Sequence, residues 1–151
     1  MTTRILFVCL GNICRSPTAE AVMRVKAKTA GLAVTLDSAG TSGWHIGEPP
    51  YGPMQAAAMV RGYDLSTLRA RAFTSDDFDR FDLIIGMDDK NIADMAALRP
   101  VGNKTPLKSF MDFAPDTGTD AVPDPYYTRD FDTTLTLVES ASNGLVAYLA
   151  Q

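Results

Sequence analysis

Apolar and polar residues alternate along this chain in blocks that change period from strand to helix and back. Ile5-Leu6-Phe7-Val8 is a short continuous apolar run and predicts a strand buried on both faces. Residues 17–30 carry Ala19, Val22, Met23, Ala27 and Ala30 at helical spacing. Leu32 to Asp37 predicts a second strand, ending in the turn-rich Ser38-Ala39-Gly40-Thr41-Ser42-Gly43. Residues 53–62 predict a short helix that stops at Gly62. Asp82 to Met87 predicts a third strand, followed by a helix over 88–98 that ends before Pro100. Pro106 to Phe110 is a candidate fourth strand. Residues 131–149 predict a last helix with Phe131, Leu135, Val138, Leu145 and Leu149 on one face, weakened at Gly144.

Strands and helices in alternation, with short apolar strands, predict an α/β fold: a four-stranded parallel sheet with helices on both faces, three layers in all. Binding sites in such folds lie beyond the carboxyl ends of the strands. The Pro-containing stretch 113–125 predicts a long loop inside the fold and not a linker. The 151 residues are 46% hydrophobic, enough for one core, so the expected organisation is a single domain over 1–151.

The first strand runs directly into Cys9-Leu10-Gly11-Asn12-Ile13-Cys14-Arg15-Ser16, and Ser16-Pro17 predicts the start of a helix. Five residues between a cysteine and an arginine can curl the backbone into a bowl whose N–H groups face one anion. The helix start adds further unpaired N–H groups and the positive end of its dipole. Such surroundings favour a thiolate over a thiol, which makes Cys9 the candidate nucleophile. Arg15 can hold two oxygens of a phosphoryl group at once. Gly11 and Asn12 are residues that tolerate left-handed backbone. Cysteine, bowl and arginine together read as a phosphate loop placed after the first strand.

A thiolate that displaces an alkoxide or phenolate needs a proton donor for the departing oxygen. The chain has one histidine, so a carboxylic acid is the natural choice. Asp124 in Pro123-Asp124-Pro125-Tyr126-Tyr127 is held between prolines, and two tyrosines beside it could wall a pocket. The same five residues also fit an ordinary Asp-Pro turn.

Charge and cysteine content narrow the rest. Net charge is −4, but residues 1–31 hold five cations against Glu20, a local +4 that leaves −8 for the remainder. That balance does not suggest nucleic acid as a partner. No apolar run is long enough for a membrane span, and the expected compartment is the cytoplasm. Cys9, Cys14 and His45 are the whole cysteine and histidine inventory, too few for a zinc site, so no metal and no cofactor is expected. His45 reads as a surface residue. Cys14 has two readings: a small residue packed under the loop, or a thiol that forms a disulfide with an oxidised Cys9 and protects it from further oxidation.

Read together, Cys9 to Pro17, Asp37-Ser38-Ala39-Gly40-Thr41 and Asp124 to Tyr127 resemble the low-molecular-weight protein tyrosine phosphatases, in order and spacing, over nearly the whole chain. The resemblance implies Cys9 as nucleophile, Arg15 as phosphate clamp and Asp124 as general acid and base. It also implies that Leu10, Gly11, Asn12, Ile13, Cys14 and Ser16 surround the phosphate. Ser16 would donate its hydroxyl to the thiolate, and Asn12 would hold the loop's shape with Ser38 among its partners. Trp44 falls where the family places a rim aromatic, and Tyr126 and Tyr127 would form the opposite wall and are themselves open to phosphorylation. Implied partners are a phosphotyrosine protein, a tyrosine kinase as the opposing enzyme, and inorganic phosphate or a similar oxyanion in the loop. Neither nucleic acid nor membrane is implied, and the expected state is a monomer or weak dimer.

Two related activities and one unrelated role stand as alternatives. Arsenate reduction on this fold needs further cysteines downstream, and none follows Cys14. Relatives that act on phosphoarginine carry threonine where this chain has Ile13. A non-catalytic phosphate-binding module would not require Cys9, Arg15 and Asp124 together. The chain departs from the family pattern after Glu48-Pro49-Pro50, where Tyr51 and Pro53 replace an acidic residue and an arginine.

Overall fold

The computed structural model describes residues 2–151. It contains β1 (Thr3–Cys9), α1 (Arg15–Thr29), β2 (Val34–Gly40), α2 (Gly52–Val60), α3 (Asp77–Arg80), β3 (Leu83–Gly86), α4 (Asp89–Ala96), β4 (Leu107–Ser109), α5 (Pro125–Thr128) and α6 (Phe131–Leu149). The strands are all parallel, in the order β2-β1-β3-β4. β1 lies inside the sheet, and its side chains alternate between two cores. Ile5, Phe7 and Cys9 face the cluster built by α1, α2 and α6, with Val22, Met54 and Leu135 among its members. Leu6 and Val8 face the cluster of Phe78 from α3 and Met95 from α4. Burial on both faces is why β1 reads as an unbroken apolar run.

The predicted three-layer arrangement is the observed one, with boundaries shifted by a few residues. α1 begins at Arg15, two residues before Pro17, so the phosphate loop passes into the helix without an intervening turn. β2 continues through Ser38-Ala39-Gly40, the segment whose composition predicted a turn. Each of these residues pairs with β1, Phe7 with Ser38 and Cys9 with Gly40. Pairing with a central strand outweighs the local turn preference.

The fourth strand is three residues long, and Phe110, predicted to end it, opens a 3-10 turn over Phe110–Phe113. The predicted loop 113–125 contains a second such turn over Pro115–Thr117 and leads into α5. α3 and α5 each have four residues, too short to show a helical period.

Candidate active site

The carboxyl ends of β1 and β3 bring the Cys9–Arg15 loop, Asp88 and the 122–127 segment to one side of the sheet. β2 braces the loop from below. Thr41 N–H donates to the Cys9 carbonyl and Ser42 N–H to the Leu10 carbonyl, both at 2.9 Å. Gly40 lets the loop approach: a Cβ there would stand 2.8 Å from the Leu10 oxygen and 3.1 Å from the Asn12 nitrogen. Within the loop Asn12 takes φ 57°, the left-handed region that asparagine tolerates.

Cys9 Sγ lies 3.0 Å from Ser16 Oγ and accepts the Asn12 backbone N–H at 3.3 Å. A buried polar chain lies behind it. Asn12 Oδ1 accepts from Arg71 N–H at 3.0 Å, so the Asn12 amide nitrogen faces the other way and donates to Ser16 Oγ at 2.8 Å and Ser38 Oγ at 3.0 Å. Ser16 Oγ is therefore an acceptor toward Asn12, and its own hydrogen has two acceptors in reach, Cys9 Sγ at 3.0 Å and the Ala39 carbonyl at 3.4 Å. Ser38 in turn donates to Glu20 Oε1 at 2.8 Å. Burial pushes the Glu20 pKa above the usual carboxylate range against the opposing effects of Ser38 and Arg24.

Arg15 is 3% exposed. Its Nη1 donates to Asp88 Oδ2 at 2.6 Å and to the Val122 carbonyl at 3.1 Å, and its Nη2 reaches Asp124 Oδ2 at 3.4 Å. Burial pulls the guanidinium pKa down, but Cys9, Asp88 and Asp124 outweigh it and hold the pKa above its ordinary value. Nε of Arg15 is buried without a protein acceptor, a donor that an oxyanion could satisfy. Asp88 is itself fixed by a reciprocal capping box with Asn91 at the start of α4.

A cavity of about 290 Å³ opens over the loop, lined by Cys9, Leu10, Gly11, Ile13, Cys14, Trp44, His45, Asp124, Tyr126 and Tyr127. Asn12, Arg15, Ser16 and Ser38 lie beneath it, buried. Asn12 and Ser16, expected around the phosphate, are not among the lining residues, and the Asn12 side chain serves the support network. Trp44 is 71% exposed and lines the cavity with Tyr126 and Tyr127. Asp124 caps α5, accepting from Tyr126 N–H at 3.1 Å, and it also lines the cavity. Cys14 is a free thiol whose pKa is pushed up to about 12 by burial, with Cys9 and Asp124 adding to the rise.

His45, expected at the surface, is half-buried. Glu48 Oε2 holds its Nδ1 at 2.5 Å, and the ring lies against Gly11, where a Cβ would come within 3.0 Å of Cδ2. The sequence reading also passed over Asp88, Glu20 and Arg71. Asp88 had a positional signal, a carboxylate just past the end of a buried strand. Glu20 lies one helical turn after Ser16 on the buried face of α1. Arg71 sits in an irregular segment with no periodic signal. No group of three potential metal ligands occurs among the described residues.

The family description "Low molecular weight phosphotyrosine protein phosphatase" matches residues 4–151. The chain is 41% identical over 145 residues to the low molecular weight protein-tyrosine-phosphatase YfkJ of Bacillus subtilis, covering 95% of this chain and 93% of that one. The crystal structure of YfkJ superimposes with a TM-score of 0.94, covering 99% and 96% of the two chains. A low molecular weight protein-tyrosine-phosphatase of Streptomyces coelicolor is 44% identical over 154 residues, 97% of this chain and 93% of its own. A protein tyrosine phosphatase from Entamoeba histolytica, 36% identical, superimposes with a TM-score of 0.93 over 98% of this chain and 97% of that one.

Proposed function

The chain belongs to the low molecular weight phosphotyrosine protein phosphatase family, and from that premise we propose that it hydrolyses phosphotyrosine through a cysteinyl-phosphate intermediate. The observation that carries this reading is the convergence on one cavity of Cys9 and Asp124, with Arg15 buried between them. Cys9 sulfur attacks phosphorus, the bond from phosphorus to the tyrosyl oxygen breaks, and Asp124 gives its proton to the departing phenolate. Asp124, now a carboxylate, takes a proton from water as that water's oxygen attacks phosphorus. The sulfur–phosphorus bond breaks, releasing inorganic phosphate and restoring the Cys9 anion.

Arg15 and the loop N–H groups bear the charge on the three equatorial oxygens, the contribution that usually dominates such reactions. Donors fixed before the reaction cost no reorganisation during it. Trp44, Tyr126 and Tyr127 flank the cavity and suit an aromatic leaving group. Ile13 at the cavity wall offers an apolar surface, which favours a phenyl ring over the guanidinium of phosphoarginine. In this reading residues 1–151 form one catalytic domain that acts on phosphoproteins in the cytoplasm.

The test is turnover of p-nitrophenyl phosphate and of a phosphotyrosine peptide with a chelator present, beside Cys9→Ser and Asp124→Ala. Cys9→Ser is expected to abolish turnover. Asp124→Ala should lower kcat/KM on the peptide by roughly 100-fold or more, the usual worth of a general acid. Turnover surviving in Cys9→Ser overturns the mechanism.

A further inference from the structure

Tyr51 connects the two halves of the site. Its backbone N–H donates to the Ile13 carbonyl at 2.8 Å, which ties it to the phosphate loop. Its ring centre lies 5.2 Å from that of Tyr126 and 6.2 Å from that of Phe131, which ties it to the segment carrying Asp124. Arg129 completes the connection. Its Nη1 donates to the Tyr51 hydroxyl at 2.6 Å, and its guanidinium carbon stands 5.4 Å from the Tyr51 ring centre and 5.7 Å from that of Phe131.

Arg129 adopts φ 63°, ending α5 in the left-handed conformation. For a residue with a long side chain this conformation is uncommon and strained, and glycine would adopt it freely. The contacts with Tyr51 and Phe131 supply a compensating interaction that glycine would lack.

The acid-bearing segment needs such an anchor. α5 is a single turn and has no stability of its own. The Asp124 carboxylate accepts from the Tyr126 N–H at 3.1 Å and from Arg15 at 3.4 Å, and its carbonyl accepts from the Tyr127 and Thr128 N–H groups at 3.1 Å. On the amino-terminal side the segment is fixed through Val122, whose N–H donates to the Met87 carbonyl at 2.9 Å and whose carbonyl accepts from Arg15, and through the Pro123 carbonyl, which accepts from Thr134 Oγ1 at 3.3 Å. On the carboxyl-terminal side Tyr51 ties the segment to the loop, through its ring contact with Tyr126 and the hydrogen bond that its hydroxyl accepts from Arg129. A proton donor works only within hydrogen-bond reach of the departing oxygen, and a displacement of about 1 Å can cost about 100-fold.

We propose that Tyr51 and Arg129 form a clasp that sets the position of Asp124 over the phosphate loop, and that they act as positioning residues for proton transfer to the leaving group. This rests on the assignment of Cys9 and Asp124 made above. Losing the clasp should matter most where the leaving group most needs a proton. A well-positioned acid contributes little when p-nitrophenolate departs and much when the more basic phenolate of phenyl phosphate departs.

The experiment compares kcat/KM for p-nitrophenyl phosphate and phenyl phosphate in the wild type, Tyr51→Phe, Arg129→Gly, the double variant and Asp124→Ala. Tyr51→Phe keeps the ring and removes the hydroxyl; Arg129→Gly keeps the left-handed backbone and removes the guanidinium. Each is expected to lose about tenfold more on phenyl phosphate than on p-nitrophenyl phosphate. The double variant should lose no more than either alone. Alkylation of Cys9 by iodoacetamide, which needs no acid, should stay within about twofold of wild type. Equal losses on the two substrates, or none on either, would overturn the clasp. If Asp124→Ala shows the steeper leaving-group dependence while Tyr51→Phe follows the wild type, the clasp fails and the acid stands. If wild-type turnover does not depend on Cys9, the reading beneath it fails first.

Discussion

Gly11 and Asn12 both tolerate left-handed backbone, yet only Asn12 is bent that way. Gly11 gives room instead, since a Cβ there would crowd the His45 ring at 3.0 Å. Residue type identified two permissive positions; which permission each uses depends on a neighbour more than thirty residues away. Cys14 shows the same limit, because two thiols in one loop cannot be told apart by composition. Both are 3% exposed, and the structure separates them by their surroundings: Cys9 Sγ accepts from Asn12 N–H and lies beside Ser16 Oγ, whereas burial with Cys9 and Asp124 nearby raises the pKa of Cys14. Raising a thiol's pKa to about 12 keeps it protonated at pH 7, and the neutral thiol is a poor nucleophile. Iodoacetamide at pH 7 is therefore expected to modify Cys9 and leave Cys14 intact, as read by peptide mass mapping. Equal labelling of both would contradict the burial argument.

Whole elements with a strong period were readable from sequence, and α6 agrees with its predicted span at both ends. The one reservation about it concerned Gly144, which lowers helix propensity by about 1 kcal/mol relative to alanine. The structure gives that glycine a reason. A Cβ at 144 would fall 1.7 Å from the Phe113 carbonyl oxygen, where α6 crosses the 3-10 turn leading toward Asp124. Gly144→Ala should gain the propensity and lose more to the collision, because the obstacle is backbone and cannot rotate away. We expect a net loss of about 1–3 kcal/mol, measured as a lower urea midpoint. A higher midpoint would show that helix and turn separate freely. Elements without a period, α3, α5 and the 3-10 turns, were invisible in the sequence because four residues do not complete two helical turns.

In the folded molecule, residues far apart in sequence converge at the carboxyl edge of a parallel sheet, and no single segment supplies the whole cluster around Arg15. The end of β1, the start of α1, Asp88 after β3 and the 122–124 segment meet only in the native state. Motif order suggested the loop and the acid, but the pairing of Arg15 with Asp88 comes from the adjacency of β1 and β3. An oxyanion that binds this convergence has no comparable site on the unfolded chain, so it must stabilise the fold. At about 100 times its dissociation constant the gain is about 2.7 kcal/mol. For a chain near 150 residues this corresponds to a rise in Tm of roughly 5–11 °C. Inorganic phosphate, measured against chloride at matched ionic strength, should produce this rise in the wild type. Arg15→Ala should abolish most of it, because the loop amides remain but the buried cation does not. General salt effects would raise both proteins alike, whereas a site built on Arg15 separates them.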